Sequence, residues 1–333
     1  MNDKSKDKFL GRFLENRINL YEEASLDTPG AKMSLISTIP RSGTWSHHYF
    51  WSVYDALAAG LSGYDPFPNF YVPKSLNTDI FGVTHFFCPG WQEVLPDQLV
   101  SKLQNSLFPG LRGVDWASPE LEKRFGDVAK PHRNPNCRIV LVYRNPLDQL
   151  ASYFRQVWNA QSKKEVGLNA SDRLLPFLVK ADESRVYFDT MKDFLRGGAL
   201  NSYCIFLKIY LEMAKKLPGQ IHLEPYERIV DNRELGFKTI HDFFDLSKTF
   251  NPDTFGKALK LTEKESLSNF ERSLGHSINY EERIHADRPK NEITKHIYST
   301  GREEWRHVFD RKDIDYTIEI LDSYGIDAAL FQF

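Results

Sequence analysis

Arg41, Ser42, Thr44 and Ser46 gather around Gly43 in the run Ile39-Pro40-Arg41-Ser42-Gly43-Thr44-Trp45-Ser46, a set of hydrogen-bond donors with one fixed positive charge. Hydroxyls, a guanidinium and the backbone N–H groups beside a glycine suit an anion, above all a phosphate or sulfate. No carboxylate stands beside them to hold a divalent cation, so the anion is expected without a metal. The spacing excludes the phosphate loop of nucleotide triphosphatases. That loop needs a glycine at position 38 and a lysine at position 44, and this chain has Thr38 and Thr44 there. A plainer reading stays open, in which Ser42 or Thr44 merely caps a helix. A second cation, Arg144, opens Arg144-Asn145-Pro146, and two such arginines imply two phosphate-type groups on one ligand.

The elements that must position these groups are legible around them. Met33–Ile39 is apolar and β-branched like a buried strand, and Gly43–Trp51 has the spacing of a helix start. A strand that breaks at Pro40 and re-enters as a helix aims free N–H groups and the positive dipole end at the turn. Arg138–Tyr143 is the clearest strand, and Leu147–Asn159 is a helical run opened by Pro146, a position where proline is well tolerated. Asp79–His85 and Gln220–Glu224 complete a set of strands; Leu95–Leu107, Asn201–Lys216 and Arg233–Phe244 are predicted helices. Strands alternating with helices predict an α/β fold with a parallel sheet covered on both faces and ligands at the carboxyl ends of its strands. The chain is read as one domain over 1–333. Residues 1–30 are expected to form a helical extension, and 61–136 and 160–200 are expected to be rich in loops.

Charge is nearly balanced, with 43 basic and 45 acidic side chains among 333 residues, so no broad polybasic surface for nucleic acid or a membrane is implied. The three cysteines, Cys88, Cys137 and Cys204, are widely spaced without CxxC pairing, which argues for reduced core thiols and against a disulfide framework or zinc site. The charged N-terminal stretch lacks the apolar core of a signal peptide, and no run is long enough to span a bilayer, so a soluble cytoplasmic protein is expected.

With both arginine motifs in hand, the sequence from about Met33 to Phe309 resembles the soluble sulfotransferases that use 3′-phosphoadenosine 5′-phosphosulfate (PAPS) and release adenosine 3′,5′-bisphosphate (PAP). Ile39–Ser46 is similar to that family's 5′-phosphosulfate loop, with Arg41 where a lysine is usual and Trp45 in place of a second threonine. Arg144–Tyr153, RNPLDQLASY, is similar to its 3′-phosphate motif. The resemblance implies a P-loop-like central parallel β-sheet flanked by helices on both faces. It implies cofactor contacts by Arg41, Ser42, Gly43, Thr44, Trp45, Ser46, Arg144, Ser152, Tyr226, Ser266 and Leu267. By the same resemblance Thr300, Gly301 and Arg302 are expected to close over the 3′-phosphate, although the family's Arg-Lys pair is absent there. Thr84-His85 matches a Thr-His pair whose histidine is the catalytic base, with Val83 where a lysine is usual, so His85 and Arg41 are the implied catalytic pair. Phe86, Phe87, Trp91, Phe70 and Tyr71 are expected to line a pocket for a small-molecule acceptor.

Alternatives remain at this point. His85 could be a structural histidine, with His47 and His48 as rivals near the loop. Arg144 could pair with Asp148 on the surface, and Tyr226 could be a core aromatic. A metabolite kinase, or a bisphosphate-binding protein of the same fold with little turnover, would use many of the same residues.

Overall fold

The computed structural model describes residues 9–10, 20–21, 30–39, 41–61, 76–85, 88–106, 126–162, 180–181, 184–185, 190–275, 278 and 303–333. Its centre is a sheet of four parallel strands, β1 (Met33–Thr38), β2 (Ile80–His85), β3 (Cys137–Tyr143) and β4 (Ile221–Pro225), in the order β2-β1-β3-β4. All four carboxyl ends finish along one edge. Thr38 pairs with His85 on one side and Val142 on the other, and Tyr143 pairs with Pro225. The strand order reverses between β1 and β3, so the crevice outside their carboxyl ends is where a ligand fits such a sheet.

Both faces of the sheet are buried, as the unbroken apolar runs require. Leu35, Ile139 and Leu141 face a core built with α2 (Pro146–Ser162) and α3 (Leu200–Lys216), where Leu147, Leu150, Phe206 and Tyr210 pack. The alternate residues Ile36, Val83, Val140 and Val142 face a second core with α1 (Thr44–Ala58) and α4 (Arg233–Phe244), where Phe50, Phe237 and Phe244 pack. The rings of Phe50 and Phe237 stack with centroids 3.9 Å apart. Side chains of this size each contribute about 1.5–3 kcal/mol on burial, and they hold the strand ends rigid beneath the loops.

Within 1–30, where a helix is predicted, Phe9–Leu10 pairs antiparallel with Leu20–Tyr21. Gly11 directly after the first apolar pair weakens a helix there, while each apolar dipeptide suits a strand edge. The helix expected over Leu95–Leu107 is found at Asp97–Ser106. No helix among the described residues is long and apolar enough to cross a membrane. A cavity of about 710 Å³ lined by Tyr54, Leu57, Asn77 and Ser247 opens at the far end of α1, away from the loops.

Candidate active site

The chain leaves β1 through a turn closed by Ser42 N–H donating to Ile39 C=O at 3.0 Å. Arg41 sits in this turn at φ 73°, a left-handed conformation that costs a non-glycine residue energy. Gly43 follows at φ 84° as the N-cap of α1, and no side chain caps the helix there. The first-turn N–H groups of α1 therefore open toward the loop. Glycine is needed at 43 for a second reason: a Cβ would strike the Tyr226 ring at Cε2 and Cδ2. Thr44 and Thr38 share a buried 2.7 Å hydroxyl bond, which ties the helix start to the strand end. Ser42 is fully buried, and its Oγ has no hydrogen-bond partner among the described residues.

The second loop leaves β3 beside the first. Asn145 caps α2, its Oδ1 accepting from Leu147 N–H at 2.9 Å and Asp148 N–H at 3.3 Å. Its own N–H donates to Glu227 Oε1 at 2.8 Å, and Tyr203 OH donates to the Arg144 carbonyl at 2.5 Å. Burial pushes the Glu227 carboxyl up, while the Asn145 N–H and the Arg144 charge draw it back. Arg144 donates to the Arg41 carbonyl at 3.3 Å and lies over the Tyr226 ring, 5.2 Å from its centroid. It also pairs with Asp148 at 3.4 Å. Both side chains are under a tenth exposed, so this is a buried pair and not the surface pair considered above. Asp148 Oδ2 also accepts the Glu303 N–H at 3.3 Å, and its Oδ1 is buried without a partner among the described residues.

The structure thus brings together Arg41, Ser42, Gly43, Thr44, Arg144, Ser152 and Tyr226. Ser152 Oγ accepts from Arg41 Nε at 3.0 Å, so the two arginine motifs meet directly. Trp45 is half-buried against the rings of His48 and Tyr49, and Ser46 is half-buried in the first turn of α1. The backbone of His85 lies at the end of β2, one strand from Thr38. His47 turns into the core, edge-on to Phe237, and burial with the nearby Arg233 charge lowers its pKa to about 3. Trp91 and Leu267 are packed into the two core clusters, and Ser266 is half-buried on the helix Lys264–Leu274. Phe70, Tyr71, Phe86, Phe87, Thr300, Gly301 and Arg302 lie outside the described residues. Tyr203 is a supporting group that sequence reasoning did not single out, and Asp148 was considered only as a surface partner of Arg144. Asp148 carried a signal, its four-residue spacing from Arg144, whereas Tyr203 carried none.

Residues 125–324, more than half of the chain, match the sulfotransferase domain family, and the chain belongs to that family. Sulfuryl transfer is the chemistry that membership supports. The matched span holds the Arg144 loop but not the Arg41 loop. Solved structures similar to this chain include mouse sulfotransferase SULT7A1 complexed with PAP, at 13% identity over 91% of this chain and 87% of that one, with a TM-score of 0.47. Retinol dehydratase in complex with androsterone and inactive cofactor PAP is 14% identical over 92% and 84%, with a TM-score of 0.49. The sulfotransferase domain of the Synechococcus PCC 7002 olefin synthase is 12% identical over 91% and 98%, with a TM-score of 0.35. No curated protein matches the sequence.

Proposed function

We propose that this protein transfers a sulfuryl group from PAPS to a hydroxyl, or less readily an amine, of a small-molecule acceptor. The observation that carries this reading is the junction of the two loops, where Arg41 and Arg144 lie within one hydrogen-bonded network at the carboxyl edge of β1 and β3. The residues present fit such a donor. The buried Ser42 hydroxyl is without a partner among the described residues, and no side chain caps α1 at Gly43.

In this reading Ser42, Thr44, Ser46 and the backbone around Gly43 hold the 5′ end of the donor, and Arg144 with Ser152 holds its 3′-phosphate. Tyr226 and Trp45 contact the adenine, and the segment Thr300–Arg302 closes the site. The bound donor supplies an electrophilic sulfur attached to a good leaving phosphate. Arg41 and the loop N–H groups neutralise charge as it develops on the leaving oxygen, and the rigid loops keep attack in line. His85 takes the acceptor proton as the new bond to sulfur forms, the general-base role that an imidazole suits near neutral pH. Phe70, Tyr71, Phe86 and Phe87 form the acceptor pocket of a single-domain cytoplasmic enzyme. Transfer of labelled sulfate from PAPS to a panel of phenols and alcohols in EDTA tests the reading. Metal-independent product with at least one acceptor supports it, and no product with any acceptor favours a binding protein of the same fold.

A further inference from the structure

Arg144 and Asn145 are fixed by partners distant in sequence, and one of these comes from beyond the last long helix, α5 (Arg311–Ser323). Asn145 Nδ2 donates to the carbonyl of Gln332 at 2.8 Å. Gln332 is presented by a short turn, Ala328–Leu330, capped by Asp327, whose Oδ1 accepts from Ala329 N–H at 2.8 Å. Phe331, only 8% exposed, anchors this segment. Its ring meets Tyr143 edge-on at 6.0 Å and Tyr203 at 6.3 Å. These are the residue preceding Arg144 and the residue that holds the Arg144 carbonyl. Phe333 continues to Trp305 at 6.3 Å, two residues from Glu303, whose N–H is held by Asp148. The segment therefore closes a ring of contacts around the Arg144 loop without being part of it.

We infer that Phe331 and the Gln332 carbonyl are positioning groups for the 3′-anion subsite, holding Asn145 and hence Arg144 where the guanidinium meets a phosphate. The inference rests on the reading of Arg144 as the partner of the 3′-phosphate. A ring that only filled the core would change stability and affect every nucleotide alike. A positioning ring changes the preference for nucleotides that carry the 3′-phosphate.

The test is calorimetric titration of the full chain and its variants with PAP and with adenosine 5′-phosphate, at a temperature where circular dichroism shows each variant folded. Phe331→Ala should lower the preference for PAP by about tenfold while leaving 5′-phosphate affinity in place. Asn145→Ser keeps a capping oxygen but loses the donor to Gln332, and should lower the same ratio. The double variant should lose no more than the larger single loss, because both act on one contact chain. Phe331→Leu, which retains an apolar side chain, should restore the ratio to within about threefold of the parent. A parent that prefers PAP and variants that keep that preference in full would overturn the inference alone. A parent that binds both nucleotides equally would overturn the reading of Arg144 and the inference with it. Where Phe331→Ala does not fold, Asn145→Ser decides, an unchanged ratio overturning the inference.

Discussion

Arg41 Nε donates a 3.0 Å hydrogen bond to Ser152 Oγ, joining a turn after β1 to the second turn of α2 across 111 positions of sequence. That bond holds the cation of one motif on the hydroxyl of the other, with the Arg41 backbone at φ 73°. A donor that enters between the loops has to compete for both groups.

Arg41→Gly separates stability from function. Glycine relieves the left-handed conformation, which costs other residues roughly 1–2 kcal/mol, and gives back a part of that in chain entropy. The melting temperature is expected to hold or rise, while sulfuryl transfer falls by about 10²–10³-fold, as when one preorganised donor is removed. A thermal melt and an initial rate with PAPS check the two halves; a fall in both would assign Arg41 a structural role.

Arg144→Ala leaves Asp148 buried and unpaired, so it should lose affinity for PAP and also destabilise the chain by about 3 kcal/mol. Adding Asp148→Asn removes the stranded charge. The double variant is expected to recover most of the melting temperature and none of the affinity, as read by denaturation and nucleotide titration.

His47 sets a stability term with a definite sign. Folded, its pKa is about 3; unfolded, it returns to about 6.5, so between these values the unfolded chain binds the extra proton. Stability supplied by the neutral, buried ring is complete above about pH 6.5 and is lost as pH falls toward 3. In His47→Leu the melting temperature should depend less on pH across this window, and equal slopes in both proteins would remove His47 from the account.

His85→Ala should abolish transfer and leave PAP affinity within about twofold, since a base acts on the acceptor proton and not on the nucleotide. Parallel loss of PAP binding would show that His85 supports the cofactor site instead.

The two strand–turn–helix units were legible because each is local. A β-branched run, a proline and a polar turn lie within about fifteen residues, and short-range sterics decide the outcome. The parallel sheet followed from the alternation of strands and helices, and its cores from runs such as Ile139–Val142 that bury both faces. The network behind the site was not legible. Tyr203, Glu227 and Gln332 reach the Arg144 loop across 59, 82 and 187 positions, and nothing in a helix interior or a chain segment marks a side chain or carbonyl for such a contact. The bond between Ser152 and Arg41 was not legible either. The place of Ser152 on α2 was readable from spacing, but the path of Arg41 depends on a left-handed turn that sequence disguises by using arginine where glycine is usual.

The most direct measurement is calorimetric titration of the protein with PAP in EDTA beside ATP with Mg²⁺. The account predicts tight, metal-independent binding of PAP and little response to ATP. Preference for Mg²⁺–ATP would contradict it, placing the chain's donor site with phosphoryl transfer and leaving His85 without its proposed role.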